Sequence, residues 1–216
     1  MVVRRRRWRG VAVPCTLLAV ELLAGACGGG AKTGPEAYTG ALAAERAAKD
    51  EHFRTGADSP IPAGDRAAFL PLRYFPPDES WSVPASLDPA DRSLQPVVDM
   101  PTSTGERRKM RRVGVLRFTL KGQRLDLSAF VEAGAPDTNR LFVPFADLTS
   151  GTETYGPGRY LDLDRTATGI YVIDFNRAYN PYCAYNAKYD CPYPPAENRL
   201  AIAVHAGERV PARPAH

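Results

Sequence analysis

A chain of 216 residues, 44% of them hydrophobic, is long enough to bury a sizeable core, while a formal charge of +4 is weak for a nucleic-acid binder. Of the 28 Lys and Arg and 24 Asp and Glu, the first 26 residues hold five Arg and one Glu, leaving 23 of each sign in the rest. The basic surplus belongs to the N-terminus, so a nucleic-acid partner is not expected.

That N-terminus reads as an address label. Arg4, Arg5, Arg6, Arg7 and Arg9 make a basic start, Val11 to Leu23 is mostly apolar, and Ala24-Gly25-Ala26-Cys27 follows. Charge, a short apolar run and small residues are the layout of a secretory signal, and the run is shorter than the ~20 residues of a bilayer-spanning helix. A cysteine directly after small residues is the lipid acceptor of a lipoprotein signal. The expected division is a signal peptide over 1–26, a lipid-attached tether over 27–35 with Gly28, Gly29 and Gly30, and one domain over 36–210. Cys27 would carry the diacylglyceryl and palmitate groups, holding a monomer on the extracytoplasmic face of the cell membrane. Glu21 interrupts the apolar run and Ala24 stands where Leu is commoner. The competing readings are an ordinary signal cut near Ala26 and an uncleaved anchor.

Further along, Thr33 before Pro35 marks a helix start, with Pro in the first turn where its missing N–H costs nothing. Ala-rich sequence runs to about Phe53, and Gly56, Pro60 and Pro62 end it; a second helical turn is expected around Gly64–Leu70. Tyr38, Leu42 and Phe53 are sparse for an amphipathic face, so this helix should lie on the domain's edge. From Trp81 the apolar period changes to two. Ser80–Leu87 reads as a strand, and Leu116, Phe118, Leu120 and Leu125, Leu127, Ala129, Val131 flank Lys121-Gly122 as a hairpin. Leu141–Phe145, Arg159–Leu163, Ile170–Phe175 and Arg199–His205 repeat the pattern. The cluster Arg107, Arg108, Lys109, Arg111, Arg112 reads as a solvated strand entrance, with a patch for anionic lipid or polyanion as the alternative. The fold class is mainly β: an antiparallel sandwich or barrel-like domain with an N-terminal α-helix.

Composition becomes unusual between Asp174 and Asn198, where five Tyr, four Asn and four Pro crowd into a connection far longer than the ~2–5 residues of a hairpin loop. Cys15 leaves with the signal, so Cys183 and Cys191 remain, most simply as a disulfide, alternatively as half of a metal site. No third ligand lies at metal spacing, so neither metal nor cofactor is expected. The segment resembles the bacterial and archaeal family DUF1684 through Phe145, Asp147, Thr149, Gly151, Thr154, Tyr155, Gly158, Arg159 and Tyr160. The likeness continues through Asp174-Phe175-Asn176, Ala178-Tyr179-Asn180-Pro181, Cys183-Ala184-Tyr185, Cys191-Pro192, Pro194-Pro195, Glu197-Asn198 and Ala206-Gly207-Glu208. It is specific over about residues 140–209. It implies that this segment is one unit and brings no activity with it.

Tyrosines supply amphipathic faces, and Asn, Asp and Arg supply oriented polar groups, a mixture that lines sites for small polar ligands. The candidate binding residues are Arg159, Asp174, Asn176, Tyr179, Asn180, Tyr185, Glu197 and Asn198. The same types equally serve to satisfy the backbone of an irregular loop. The alternatives to a ligand-binding envelope lipoprotein are a hydrolase using Asp147, Asp174 or Glu197 carboxylates, and a structural or interaction protein of the envelope. A Cys183–His205 nucleophile and base is a weaker reading than a Cys183–Cys191 pair.

Overall fold

The computed structural model describes residues 34–90, 97–134 and 139–212. The expected signal over 1–26 and the acceptor Cys27 lie outside the described residues. Helix α1 spans Pro35–Thr55 with Pro in its first turn, Glu36 near the N-terminus and His52 and Arg54 near the C-terminus, a charge order that opposes the helix dipole. Only Leu42 and Phe53 of α1 are buried, in keeping with a helix on the edge. A 3-10 turn (Ala63–Asp65) runs into the four-residue α2 (Arg66–Phe69).

Among the described residues seven strands follow: β1 Ser82–Pro89, β2 Val97–Pro101, β3 Arg107–Leu120, β4 Gln123–Glu132, β5 Arg140–Phe145, β6 Arg159–Asp164 and β7 Ile170–Asp174. They form one antiparallel sheet in the order β6-β5-β4-β3-β1-β7, which curls into a nearly closed barrel. β3 is the long central strand, with β4 along one side and β2 then β1 along the other. Its pairing slips between Arg112 and Gly114. A Cβ on Gly114 would stand 2.4 Å from the Asp88 carbonyl oxygen, so glycine there lets β1 approach past the irregularity.

Period-two alternation fills the barrel. Leu116, Phe118 and Leu120 of β3 meet Leu127, Ala129 and Val131 of β4, Leu141, Val143 and Phe145 of β5, and Leu161 and Leu163 of β6. β4 departs from simple alternation, because Leu127 through Val131 are all buried. Its outward Phe130 packs with Met100 and Met110, and its outward Ser128 lies under Asn198. Both faces of β4 are thus covered, the outer one by Met100 of β2 and Met110 of β3 at Phe130 and by Asn198 at Ser128.

The expected strand at Arg199–His205 is not formed. Leu200, Ile202, Val204 and Ala206 do enter the core, as their spacing required. Their backbone, however, makes only single links to β5's end: a bridge between Ala146 and Arg199, and a bond from the Leu148 N–H to the Ile202 carbonyl at 3.0 Å. The carbonyls of Val204, Ala206 and Glu208 accept instead from the Arg159 guanidinium. A side chain has replaced a neighbouring strand.

Candidate functional site

Arg159 explains much of the C-terminal arm. It is fully buried at 0% exposure and pairs with the buried Asp147 at 3.0 Å while serving the three carbonyls. Asp147 in turn accepts from the N–H groups of Thr149 (2.8 Å) and Val204 (3.1 Å). Burial pulls the Arg159 pKa down, and Asp147 and Glu208 oppose that. Asn198, also fully buried, fastens the arm to the barrel: its side chain accepts from Ser128 N (2.7 Å) and donates to Ser128 O (2.9 Å) and Pro144 O (2.7 Å).

Asp174 caps the turn Phe175–Arg177, takes the Tyr38 hydroxyl at 2.9 Å and pairs with Arg177 at 3.1 Å. Asn176 exchanges bonds with the backbone of Asp78. Asn180 donates from its side chain to Arg209 O, and Tyr185 gives its hydroxyl to Glu208 at 2.9 Å. Glu197 is exposed and bridges to Arg112 at 2.6 Å. These residues hold separate stretches of backbone together and do not converge on one opening. Asp147, Asp174 and Glu197, the carboxylates considered for hydrolysis, each sit with their own cation. His205 pairs with Glu153 at 3.0 Å, and the sulfur of Cys183 is touched by Tyr155.

Of the eight candidates, Tyr179 alone lines an open cavity on the outer face of β5 and β6, and strand parity shows why a cavity forms beside it. Along β5 the odd residues enter the barrel, so Arg140 and Phe142 point outward. On β6 Tyr160 and Asp162 do the same, and across the sheet Phe142 faces Asp162. Arg108, Met110 and Glu132 continue this outer surface on β3 and β4. The connection after β7 arches over it, tied down where Tyr160 and Tyr179 exchange backbone bonds at 2.9 and 3.0 Å and the Tyr160 hydroxyl reaches Pro192 O. Between sheet and arch lies an open cavity of about 600 Å³, and Lys49 reaches it from α1.

Aromatic rings form much of its wall. Phe142 and Tyr160 meet edge-on at 4.7 Å between centroids, Tyr160 and Tyr179 at 5.8 Å, Tyr182 and Tyr189 at 5.3 Å. Three cations (Lys49, Arg108, Arg140) and three acids (Glu132, Asp162, Asp190) share it, so the lining is close to neutral. Lys49 lies 5.0 Å from the Tyr179 ring centre. Asp162 is open to solvent on one side but crowded by the cavity wall on the other. That desolvation raises its carboxyl above the ordinary carboxylate range, against the lowering effects of its 2.9 Å bond from the Tyr179 hydroxyl and of Arg140. Burial pushes the Tyr160 and Tyr179 hydroxyls up, keeping both protonated as donors.

Beside this cavity the structure centres on Glu208, a residue the sequence reading did not single out as a site. Glu208 is 1% exposed and accepts from Lys49 Nζ (2.6 Å), the Asn180 N–H (2.8 Å) and the Tyr185 hydroxyl (2.9 Å). Gly207 brings it there: at φ 75° a Cβ would strike the carbonyl oxygens of Ala178 (2.6 Å) and Phe175 (2.7 Å). Glu208 thereby fixes Lys49 at the cavity's edge. Its sequence signal was the Ala206-Gly207-Glu208 match, which reads equally well as a turn.

Cys183 and Cys191 stand together in the arch as free thiols, and the Cys183 N–H donates to Cys191 Sγ at 3.2 Å. Among the described residues no group of three or more His, Cys, Asp and Glu is placed to hold a metal ion. No described helix is long and apolar enough to cross a membrane.

Comparison with known proteins gives a consistent picture. An uncharacterised protein from Haloarcula marismortui, solved in solution by NMR, is similar at 39% identity with a TM-score of 0.63, over 81% of this chain and 95% of that one. No curated protein matches. Residues 67–209 match DUF1684, described as proteins of unknown function, so the likeness begins well before the 140–209 stretch that carried it in the sequence. The barrel, its arch and the cavity between them are therefore found in a chain that belongs to the DUF1684 family.

Proposed function

We propose that this protein is a lipid-anchored envelope protein that binds a small polar ligand in the cavity between the sheet and the arch. The observation that carries the binding reading is the cavity itself: about 600 Å³, walled by tyrosines and open to solvent. Ligand sites commonly span ~300–1,000 Å³ and combine apolar surface with a few placed polar groups. Phe142, Tyr160, Tyr179 and Tyr189 offer ring faces and edges on which a sugar ring or a planar group packs. Equal numbers of cations and acids favour a neutral or zwitterionic ligand over a polyanion, which would meet Glu132, Asp162 and Asp190. Membrane attachment through Cys27 rests on the signal-like order of residues 1–27.

The test is a titration with free amino acids, monosaccharides and nucleosides, following tyrosine fluorescence and heat. At least one class should give saturable binding that Tyr179→Ala weakens tenfold or more, while Glu197→Gln, which does not line the cavity, leaves it unchanged. Binding that ignores Tyr179→Ala, or no saturable response in any class, would remove the cavity as the ligand site.

A further inference from the structure

We propose that Cys183 and Cys191 form a thiol–disulfide exchange site in the arch, with Cys183 as the attacking sulfur and Cys191 as the resolving one. The two residues sit eight positions apart, on stretches held very differently. Cys191 is buried, and the turn between β2 and β3 clamps its backbone on both sides: its N–H donates to Ser103 Oγ at 3.0 Å, and its carbonyl accepts from the Ser103 N–H at 2.9 Å. Cys183 is half-buried on the single-turn helix Tyr182–Ala184. Cys183 is thus the more exposed residue of the two and Cys191 the more firmly held, a difference that exchange through a mixed disulfide can use.

The surroundings also separate the two sulfurs chemically. The Tyr155 hydroxyl donates to Cys183 Sγ at 3.8 Å, and hydrogen bonding with Cys191 first, then with Tyr155 and Ser103, pulls the Cys183 pKa down against the effect of burial. Cys191 is pushed up, first by that bond to Cys183 and then by burial. Among the described residues, Tyr160, Tyr193 and Arg108 also face the pair, and Arg108 is itself held by Asp190 at 3.2 Å. Among the described residues no third ligand stands beside the two thiols, and thiol–disulfide exchange needs only the pair itself.

The co-reactant is a low-molecular-weight disulfide. The Cys183 thiolate attacks one of its sulfurs, forming a mixed disulfide and releasing one thiolate, which takes up a proton. Cys191 then gives its proton to solvent and attacks Cys183 Sγ, forming the internal disulfide and expelling the second thiolate. Two protein thiols are oxidised, and one small disulfide becomes two thiols.

The experiment equilibrates the full-length protein with defined ratios of glutathione to glutathione disulfide and counts free thiols by alkylation and mass spectrometry. A single transition in which both cysteines change together is expected. Quenching at early times should catch glutathione on Cys183 before the internal disulfide appears, a readout that needs no variant. Cys191→Ser should hold that adduct, Cys183→Ser should form at least tenfold less, and alkylation of Cys183 should reach half its maximal rate below the ~8.5 of an ordinary thiol. Early adduct on Cys191, equal adduct on both variants, or a pair that stays wholly bonded or wholly reduced at every ratio would overturn the proposal.

Discussion

Asn198 lies fully buried with its amide spent on three backbone groups of β4 and β5. Asn198→Ala leaves those groups unpaired, and at ~1–3 kcal/mol for each buried unsatisfied group the loss should be several kcal/mol, read from urea unfolding. Asn198→Asp should be no better, since a carboxylate cannot donate to Ser128 O and Pro144 O. A near-neutral Asp variant would mean that Asn198 does not donate to those two carbonyls. Asp162 gives the opposite sign. Its folded pKa is raised, so the folded state binds its proton more tightly than the unfolded chain, and its favourable contribution at low pH is lost as pH rises through that folded pKa. Asp162→Asn keeps an acceptor for Tyr179 and removes that loss, so its Tm should exceed wild type at pH 7 and match it at pH 3. Equal Tm differences at both pH values would refute this. The polar candidates were legible as a type and not as a role, because an Asn that binds backbone and one that binds ligand have the same letter. Tyr179 was found in the same list, whereas Lys49 and Arg108 line the same cavity from sequence positions far from the tyrosine-rich segment.

At the level of elements, alternation carried most of the information. Every strand from Trp81 to Asp174 that the period-two pattern marks is present, and so is the Lys121-Gly122 turn. The segment 199–205 shows where pattern runs out: burial every second residue fixes which side chains enter the core, but a ladder also needs a neighbouring edge, and here Arg159 supplies the donors. Helix α1 shows the reverse. Its faint apolar stripe understates its attachment, which runs through Phe53 against Tyr185 (5.6 Å) and Tyr182 (6.1 Å), and through Lys49 to Glu208. Phe53→Ala should therefore loosen α1 together with the arch while leaving the barrel folded. Hydrogen exchange would show faster exchange in residues 40–55 and 180–190 and unchanged protection in β3 and β4; uniform loss of protection would show instead that α1 and barrel unfold as one.

For the whole molecule, the decisive question is where the arch and its cavity are displayed. The charge distribution makes the anchored reading economical: five arginines precede the apolar run, and the chain beyond residue 26 is balanced. A protein without surplus charge gains little attraction to anionic headgroups, so stable membrane residence would depend on acyl chains at Cys27, each buried methylene worth ~0.8 kcal/mol. Substituting that one sulfur discriminates among the three readings of the N-terminus. In bacteria that express the full chain, the protein should partition with membranes, incorporate labelled palmitate and lack residues 1–26. Cys27→Ser should abolish the label and leave an unprocessed precursor. Label-free protein cut near Ala26 in both forms would indicate an ordinary signal, and an intact, unlabelled N-terminus on membrane-bound protein would indicate an uncleaved anchor. Either result would remove the lipid while leaving the cavity and the Cys183–Cys191 pair to be tested on their own terms.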